Sequence, residues 1–197
     1  MKNCLWALGL ILSFSVTPAL AHPHIFADAK VVVLFDEKGF VGIRNRWSFD
    51  ELYSAAMMSS GDADGDGKIS DAESVWFRKA VLDPLQEKNY LNYVQFGASF
   101  LKVRKLKDFR ASFEGNHLVF YFETEFGLPV SAEYAMLVAV ITDLTNYIQI
   151  NTDMENADVD APDSIDVEYF SDGLEGLSLF KSFVYGGEGL FLRFKKK

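Results

Sequence analysis

Residues 25–49 of this 197-residue chain, IFADAKVVVLFDEKGFVGIRNRWSF, alternate between apolar and polar side chains over most of their length. This two-residue period is typical of strands with one buried face. Glu37-Lys38-Gly39 interrupts the alternation and forms a turn, in which Gly39 can adopt a positive φ. The stretch therefore predicts a long antiparallel hairpin. Its predicted buried face consists of Ile25, Ala27, Ala29, Val31, Val33 and Phe35 on the first strand and Val41, Ile43, Trp47 and Phe49 on the second.

After the hairpin, the apolar spacing changes to a helical period. Ser48 and Glu51 have the S-x-x-E spacing of a capping box, which predicts that a helix begins here. A second helix is predicted from Asp71 to Leu82, and Pro84 limits its extent. Residues 48–83 are therefore predicted to form an EF-hand-like helix–loop–helix inserted between strands.

The rest of the chain contains further strand candidates and neither an internal repeat nor a linker. They lie at residues 109–113, 118–126, 135–141, 147–150 and 165–170, whereas residues 151–166 are acidic and loop-like. We predict a single α+β domain over residues 22–197, with an antiparallel β-sheet or sandwich. The aromatic tail, residues 177–194, is followed by three lysines. It either belongs to the core or contacts a membrane or a partner, and the sequence leaves both open.

The first 21 residues have the features of a signal peptide. Lys2 supplies a positive start, residues 5–16 are almost unbroken apolar, and Ala19-Leu20-Ala21 is a small-x-small cleavage site. The apolar run is shorter than the ~20 residues needed to span a bilayer. We therefore expect a periplasmic protein that is cleaved after Ala21, which also removes Cys4, the only cysteine of the chain.

Acidic residues exceed basic ones, with 28 Asp and Glu against 19 Lys and Arg and a formal net charge of −9. The sequence has no basic stripe that would neutralise phosphates, so we predict no nucleic-acid binding. It also has no G-x-S-x-G elbow, no H-E-x-x-H helix and no phosphate-binding loop. Together with the loss of the only cysteine, this predicts that the protein is not an enzyme.

The strongest functional signal lies between the two predicted helices. Residues 62–73, DADGDGKISDAE, match the calcium-loop pattern D-x-[DN]-x-[DN]-G-x5-E without a mismatch. Ca²⁺ binds about six to eight hard oxygens at roughly 2.3–2.6 Å, and this spacing turns alternate side chains inward. The predicted ligands are Asp62, Asp64 and Asp66, the carbonyl of Lys68, Ser70 directly or through water, and both carboxylate oxygens of Glu73.

A plain acidic turn is the alternative interpretation of this loop. By average residue usage, a chance match in a chain of this length has a probability on the order of one in a few thousand. EF-hands usually occur in pairs, and the sequence contains no second loop of this kind. We therefore predict weak calcium binding, at about 10⁻⁴–10⁻³ M, that stabilises the structure rather than switching it.

The predicted mature N-terminus, His22-Pro23-His24, places a free amine beside two of the three histidines. Imidazole and amine nitrogens are good ligands for Ni²⁺, Co²⁺, Cu²⁺ and Zn²⁺. An amino-terminal copper site with a histidine at position three is excluded, because Pro23 has no amide hydrogen. A copper brace would need a further histidine, and His117 is the remaining candidate. The alternative is that His22 and His24 simply begin the first strand.

Two segments, AHPHIFADA at residues 21–29 and GIRNRWSFDE at residues 42–51, resemble a bacterial family of unknown function. Its members are known as periplasmic components of an uncharacterised ABC-type transport system. The similarity runs from His22 to about Thr152. Because members are often associated with nickel/cobalt permeases, the resemblance implies a periplasmic accessory role in metal transport, with a membrane permease as partner.

The sequence thus supports two functional hypotheses. In the first, an exported calcium-binding protein assists metal or solute transport and presents His22 and His24 to a permease. In the second, the protein is a calcium-stabilised interaction domain of the cell envelope, with no ligand beyond Ca²⁺ and no transport role.

Overall fold

The structure is a computed structural model that describes residues 24–181 and 187–197. It has a mixed α+β fold dominated by two sheets whose strands are mostly antiparallel, as the sequence predicted. The predicted leader, residues 1–21, and the candidate ligand His22 lie outside the described residues.

The first sheet carries the predicted hairpin at its centre. Its main strands are β1 (Ile25–Asp36), β2 (Gly39–Phe49), β5 (Lys105–Glu114), β6 (His117–Pro129) and β8 (Ile148–Thr152). They follow the order β5-β6-β2-β1-β8, and the short strand β9 (Asp158–Asp160) also pairs with β1. β8 and β9 run parallel to β1, whereas the other pairs of this sheet are antiparallel.

The second sheet is antiparallel and contains the C-terminal strand. Its strands are β3 (Asn92–Phe96), β4 (Ser99–Phe100), β7 (Ala135–Ile141), β10 (Ile165–Gly173) and β11 (Glu188–Lys196). They follow the order β10-β11-β7-β3-β4. Leu190, Leu192 and Phe194 of β11 are buried, so this part of the aromatic tail belongs to the core.

Two helices and a helical extension connect β2 to β3. They are α1 (Glu51–Gly61) and α2 (Asp71–Phe77), and α2 continues through a π-helical turn, Arg78–Leu82, into a 3₁₀ segment, Asp83–Leu91. Pro84 therefore does not end the helical stretch. It lies at the start of the 3₁₀ segment, where a missing N–H does not matter. In the described part of the chain, no helix combines the length and the hydropathy required to cross a bilayer.

The predicted buried face of the hairpin is confirmed with one exception. All six residues predicted to be buried on β1 are buried, as are Ile43, Trp47 and Phe49 on β2. Val41 is only half-buried, because the register with β6 shifts between Phe40 and Gly42 and Phe40 takes the inner position instead.

Two different layers cover this inner face. At one end, the Phe35 ring contacts Phe194 of β11, with centroids 5.0 Å apart. At the other end, Phe77 of α2 contacts Phe120 of β6 at 6.3 Å. The second sheet thus packs over one end of the first sheet, and the helices pack over the other.

Serine hydroxyls fasten both helices to the β5–β6 hairpin. Ser54 Oγ of α1 accepts a hydrogen bond from the N–H of Leu118, and Ser74 Oγ of α2 accepts one from the N–H of Ala111, both at 2.8 Å. Both serines are buried. Main-chain donors of the sheet that would otherwise be unpaired are therefore satisfied by the helices.

The start of α1 differs from the prediction. Ser48 and Glu51 do not form the predicted capping box, because Ser48 is still part of β2 and pairs with Val119 of β6. Asp50 is the N-cap instead. Its Oδ1 accepts the N–H of Tyr53 at 2.9 Å, and its Oδ2 accepts the N–H of Phe26 at 3.1 Å.

The acidic segment at residues 151–166 is more ordered than a plain loop. β9 lies within it and pairs with Val32–Leu34 of β1, and the side chains of Met154 and Ala157 are buried. β9 has only three residues, which is too short for an alternating pattern to be recognised in the sequence.

Replacing Ser74 with alanine should lower the free energy of unfolding by about 1–3 kcal/mol, because the buried N–H of Ala111 would lose its acceptor. Ser60→Ala is the matched control, since it removes an exposed hydroxyl of α1 and should change stability by less than about 0.5 kcal/mol. Denaturant unfolding at a fixed calcium concentration measures both. Equal effects of the two substitutions would contradict this role of Ser74.

Candidate metal centre

The loop between α1 and α2 brings three carboxylates together. Asp62, Asp64 and Asp66 each offer one oxygen, and these atoms lie within 4.8 Å of one another. Across residues 24–181 and 187–197, no other set of three His, Cys, Asp or Glu side chains meets this distance. The three aspartates can therefore hold a metal ion.

The backbone of the loop curls around the Asp62 carboxylate. Asp62 Oδ1 accepts hydrogen bonds from the N–H groups of Gly65 (2.9 Å) and Asp66 (3.2 Å), and Oδ2 accepts the N–H of Gly67 (2.9 Å). Gly65 and Gly67 have φ values of +72° and +74°, a left-handed conformation that glycine adopts without a steric penalty. Gly67 thus makes the bend that the loop pattern predicts at its sixth position.

Glu73 faces the start of the loop but is not within the aspartate group. Its Oε1 accepts the N–H of Ala63 at 2.7 Å, and its Oε2 accepts both the N–H and the hydroxyl of Ser70 at 2.8 and 2.7 Å. Hydrogen bonds from Ser70 and from the Ala63 N–H lower the pKa of Glu73, so it remains ionised. Ser70 and Glu73 also form the capping box that begins α2.

The remaining predicted ligand, Lys68, turns its side chain to solvent. Its N–H donates to Asp66 Oδ1 at 2.8 Å. This bond closes a local turn at Asp66, and the exposed ammonium leaves the carbonyl of Lys68 as its candidate ligand atom.

Close packing of the two helices fixes the ends of the loop. Gly61 is buried at the end of α1, and a Cβ atom there would lie 2.4 Å from the Phe77 ring and 2.8 Å from the Trp76 ring. Only glycine allows this approach. Ile69, at the eighth loop position, packs against the main core.

The histidines are placed apart from this loop. The His24 ring contacts Tyr147, with centroids 5.3 Å apart, and the His24 N–H donates to the Tyr147 carbonyl at 3.0 Å. His117, on β6, has its Nδ1 atom 2.6 Å from the carbonyl oxygen of Phe49. Neither histidine belongs to a group of three ligand side chains in the described part of the chain.

The carboxylate beside His117 is not predicted by the sequence. Glu51 Oε1 lies 4.0 Å from His117 Nε2, although 65 positions separate the two residues in the chain. The sequence indicates Glu51 only as part of a predicted helix cap. The signal that could have found the pair is the register of β2 with β6, which brings the start of α1 next to the start of β6.

A second carboxylate near His117 is already committed to other groups. Glu114 pairs with His117 at the β5–β6 turn and accepts hydrogen bonds from Ser112 (2.8 Å), Tyr121 (2.8 Å) and Arg46 (2.9 Å). These three bonds lower the pKa of Glu114 to about 2.

A cleft of about 540 Å³ lies beside β7 and β8 and is lined in part by Asp143. The Asp143 carboxylate accepts hydrogen bonds from the N–H of Thr145 (3.0 Å) and of Ile148 (3.2 Å), and Lys88 Nζ lies 3.7 Å away. Asp143 therefore stabilises the turn before β8 and is not presented as a free acid or base.

Comparison with known proteins identifies the family. A family model described as "Protein of unknown function (DUF1007)" matches residues 7–169, and the chain belongs to this family. The expected resemblance to a family of unknown function is thus confirmed, and the match extends beyond the expected range at both ends. The curated proteins contain no significant match to the chain.

Glu114→Gln should reduce stability at neutral pH by up to about 1 kcal/mol, because the carboxylate is partly exposed and its bonds are weakened by solvent. The folded-state pKa is about 2 and the ordinary value 4.5, so the stabilisation is present above pH 4.5. It is lost as the pH falls from 4.5 to 2. Denaturant unfolding of both proteins across this range measures the difference, and a constant difference would contradict the assignment.

Proposed function

We propose that this protein is an exported calcium-binding protein that acts as an accessory component of a metal or solute transport system. Loop 62–73 binds the calcium ion. The observation that carries the proposal is the convergence of Asp62, Asp64 and Asp66 within 4.8 Å, in a loop whose residue types match every required position of the calcium pattern.

The ligand set is suited to a hard divalent cation. Three aspartates occupy loop positions 1, 3 and 5, the Lys68 carbonyl position 7, Ser70 position 9 and Glu73 position 12. Four carboxylates around one dication leave the site at about −2. Without an ion these carboxylates repel one another, so binding of calcium relieves a repulsion that the folded loop contains.

The first sheet takes the role that a second hand has in paired EF-hands. Ser54 and Ser74 bind main-chain N–H groups of the β5–β6 hairpin, and Ile69 packs against the core instead of against a second loop. This support explains how a single hand can hold its geometry. An ion in such a site acts as a structural element of the fold.

Addition of Ca²⁺ should produce a heat of binding in calorimetry and raise the melting temperature, and a chelator should reverse the rise. A concentration 100-fold above Kd adds about 2.7 kcal/mol of stability. Glu73→Gln should abolish most of this gain, because it removes a charged bidentate ligand. Asp71→Asn is the matched control, since it removes an equal charge at loop position 10, which supplies no ligand. No heat with millimolar calcium and an unchanged melting temperature would refute the calcium site.

The signal-peptide features of residues 1–21 support export, and the family resemblance supports a role beside a nickel/cobalt permease. The second candidate function is a calcium-stabilised envelope domain without transport. The position of His24 directly before β1 favours this second candidate. Its ring contacts Tyr147 and its main-chain N–H donates to the Tyr147 carbonyl, so a structural role accounts for this residue without a bound metal.

Transition-metal titration of the exported product separates these two functions. The product should begin at His22, which its mass will show, and should bind Ni²⁺, Co²⁺, Cu²⁺ or Zn²⁺ more tightly than about 10⁻⁵ M (~7 kcal/mol). His22→Ala and His24→Ala should weaken this binding, because each removes an imidazole ligand. Binding that is weaker, or that does not depend on either histidine, would favour the envelope domain.

A further inference from the structure

We propose that His117 and Glu51 form a second metal site, which binds a divalent transition-metal ion such as Zn²⁺, Ni²⁺ or Co²⁺ at the edge of the first sheet. The site lies where β2 passes into α1 and β6 begins. It uses a nitrogen and an oxygen ligand, unlike the all-oxygen calcium loop, and it does not depend on calcium binding by that loop.

The imidazole of His117 is held in a form that can bind a metal. Its Nδ1 atom lies 2.6 Å from the Phe49 carbonyl oxygen, and a carbonyl can only accept a hydrogen bond. Nδ1 must therefore carry the hydrogen, which leaves the lone pair of the neutral ring on Nε2. Metal-binding histidines almost always donate their other ring N–H to such an acceptor, which orients the ring. Phe49 is fully buried, so the anchor is fixed.

The free Nε2 atom faces the carboxylate of Glu51 at 4.0 Å. In a tetrahedral site with bonds of about 2.0–2.1 Å, two ligand atoms lie about 3.3–3.4 Å apart. A rotation of the Glu51 side chain that moves its oxygen by about 0.6 Å therefore closes the pair around an ion. Glu51 can make this rotation because its side chain is 66% exposed, and the exposed surroundings leave the other coordination positions to water.

Glu51 is the available carboxylate at this place, because its neighbours are engaged. Asp50 accepts main-chain N–H groups with both of its oxygens, and Glu114 is bound by three side-chain donors. In the described ranges, no Lys or Arg nitrogen lies within 4.0 Å of the Glu51 carboxylate, which has His117 as its near neighbour. An imidazole nitrogen combined with a carboxylate oxygen suits ions of the zinc, nickel and cobalt class.

The alternative is a weak surface ion pair, in which a protonated His117 attracts Glu51. The two cases differ in what Zn²⁺ does to the ring. A metal ion binds Nε2 of the neutral imidazole and leaves the hydrogen on Nδ1, whereas an ion pair requires hydrogens on both nitrogens and is indifferent to Zn²⁺.

The test follows the histidine rings of the purified protein by NMR while Zn²⁺ is added at saturating Ca²⁺. The chain has only three histidines, so each ring is assigned from its loss in the His22→Ala, His24→Ala or His117→Ala variant. We expect Zn²⁺ to shift the Nε2 resonance of His117 and to leave its Nδ1 hydrogen in place. Glu51→Gln should weaken the Zn²⁺ affinity at His117 by about tenfold or more, the scale on which metal-site partners act.

Glu155→Gln is the matched control, because it removes the same charge from an exposed glutamate in the turn after β8; it should leave the affinity at His117 unchanged. The Glu51 side chain is exposed, and glutamine has nearly the same shape as glutamate. An effect of Glu51→Gln on Zn²⁺ affinity therefore does not come from loss of the fold. A His117 ring that does not respond to millimolar Zn²⁺, or equal affinities in the two glutamine variants, would overturn the proposal. Glu73→Gln alters the calcium loop and the start of α2 but neither ligand of this site, which keeps a failure there distinct from a failure here.

Discussion

Burial of one long apolar surface is the requirement that organises this fold. β1 has 12 residues, so at roughly 3.3 Å per residue it extends about 40 Å. Its inner face cannot be left in water along that length, and two different layers cover it. β11 supplies Phe194 at one end and α2 supplies Phe77 at the other. The helices that flank loop 62–73 therefore contribute side chains, such as Met58 and Phe77, to the core.

Contacts of α1 and α2 hold the two ends of loop 62–73 in place. Ser54 and Ser74 bind donors of the β5–β6 hairpin, and Gly61 lets the helices approach until the Phe77 ring fills the space of a side chain. The same junction places Glu51 beside His117. Both proposed metal sites are thus attached to α1, one at each end, and neither shares a ligand with the other.

Local features could be predicted from the sequence, whereas features that depend on pairing at a distance could not. Alternation revealed the buried face of β1, because side-chain direction follows from the strand period alone. The loop pattern likewise identified Asp62, Asp64 and Asp66 as a group.

The N-cap was assigned wrongly to Ser48, because only the pairing with β6 shows that this residue still belongs to a strand. The left-handed backbone of Tyr90 and Leu91 has no signal in these residue types, since bulky side chains disfavour this conformation. The Glu51–His117 pair required the register of two strands far apart in the chain.

The position of the first strand has a consequence for the order in which the chain folds. β1 lies inside its sheet, between β2 and the parallel strands β8 and β9, so its second edge stays open until residues 148–160 have been synthesised. β11, the last strand, in turn occupies an interior place between β10 and β7. Such non-local pairing slows folding, because long loops must close before their contacts form. The two sheets therefore cannot be complete until nearly all of the chain has left the ribosome.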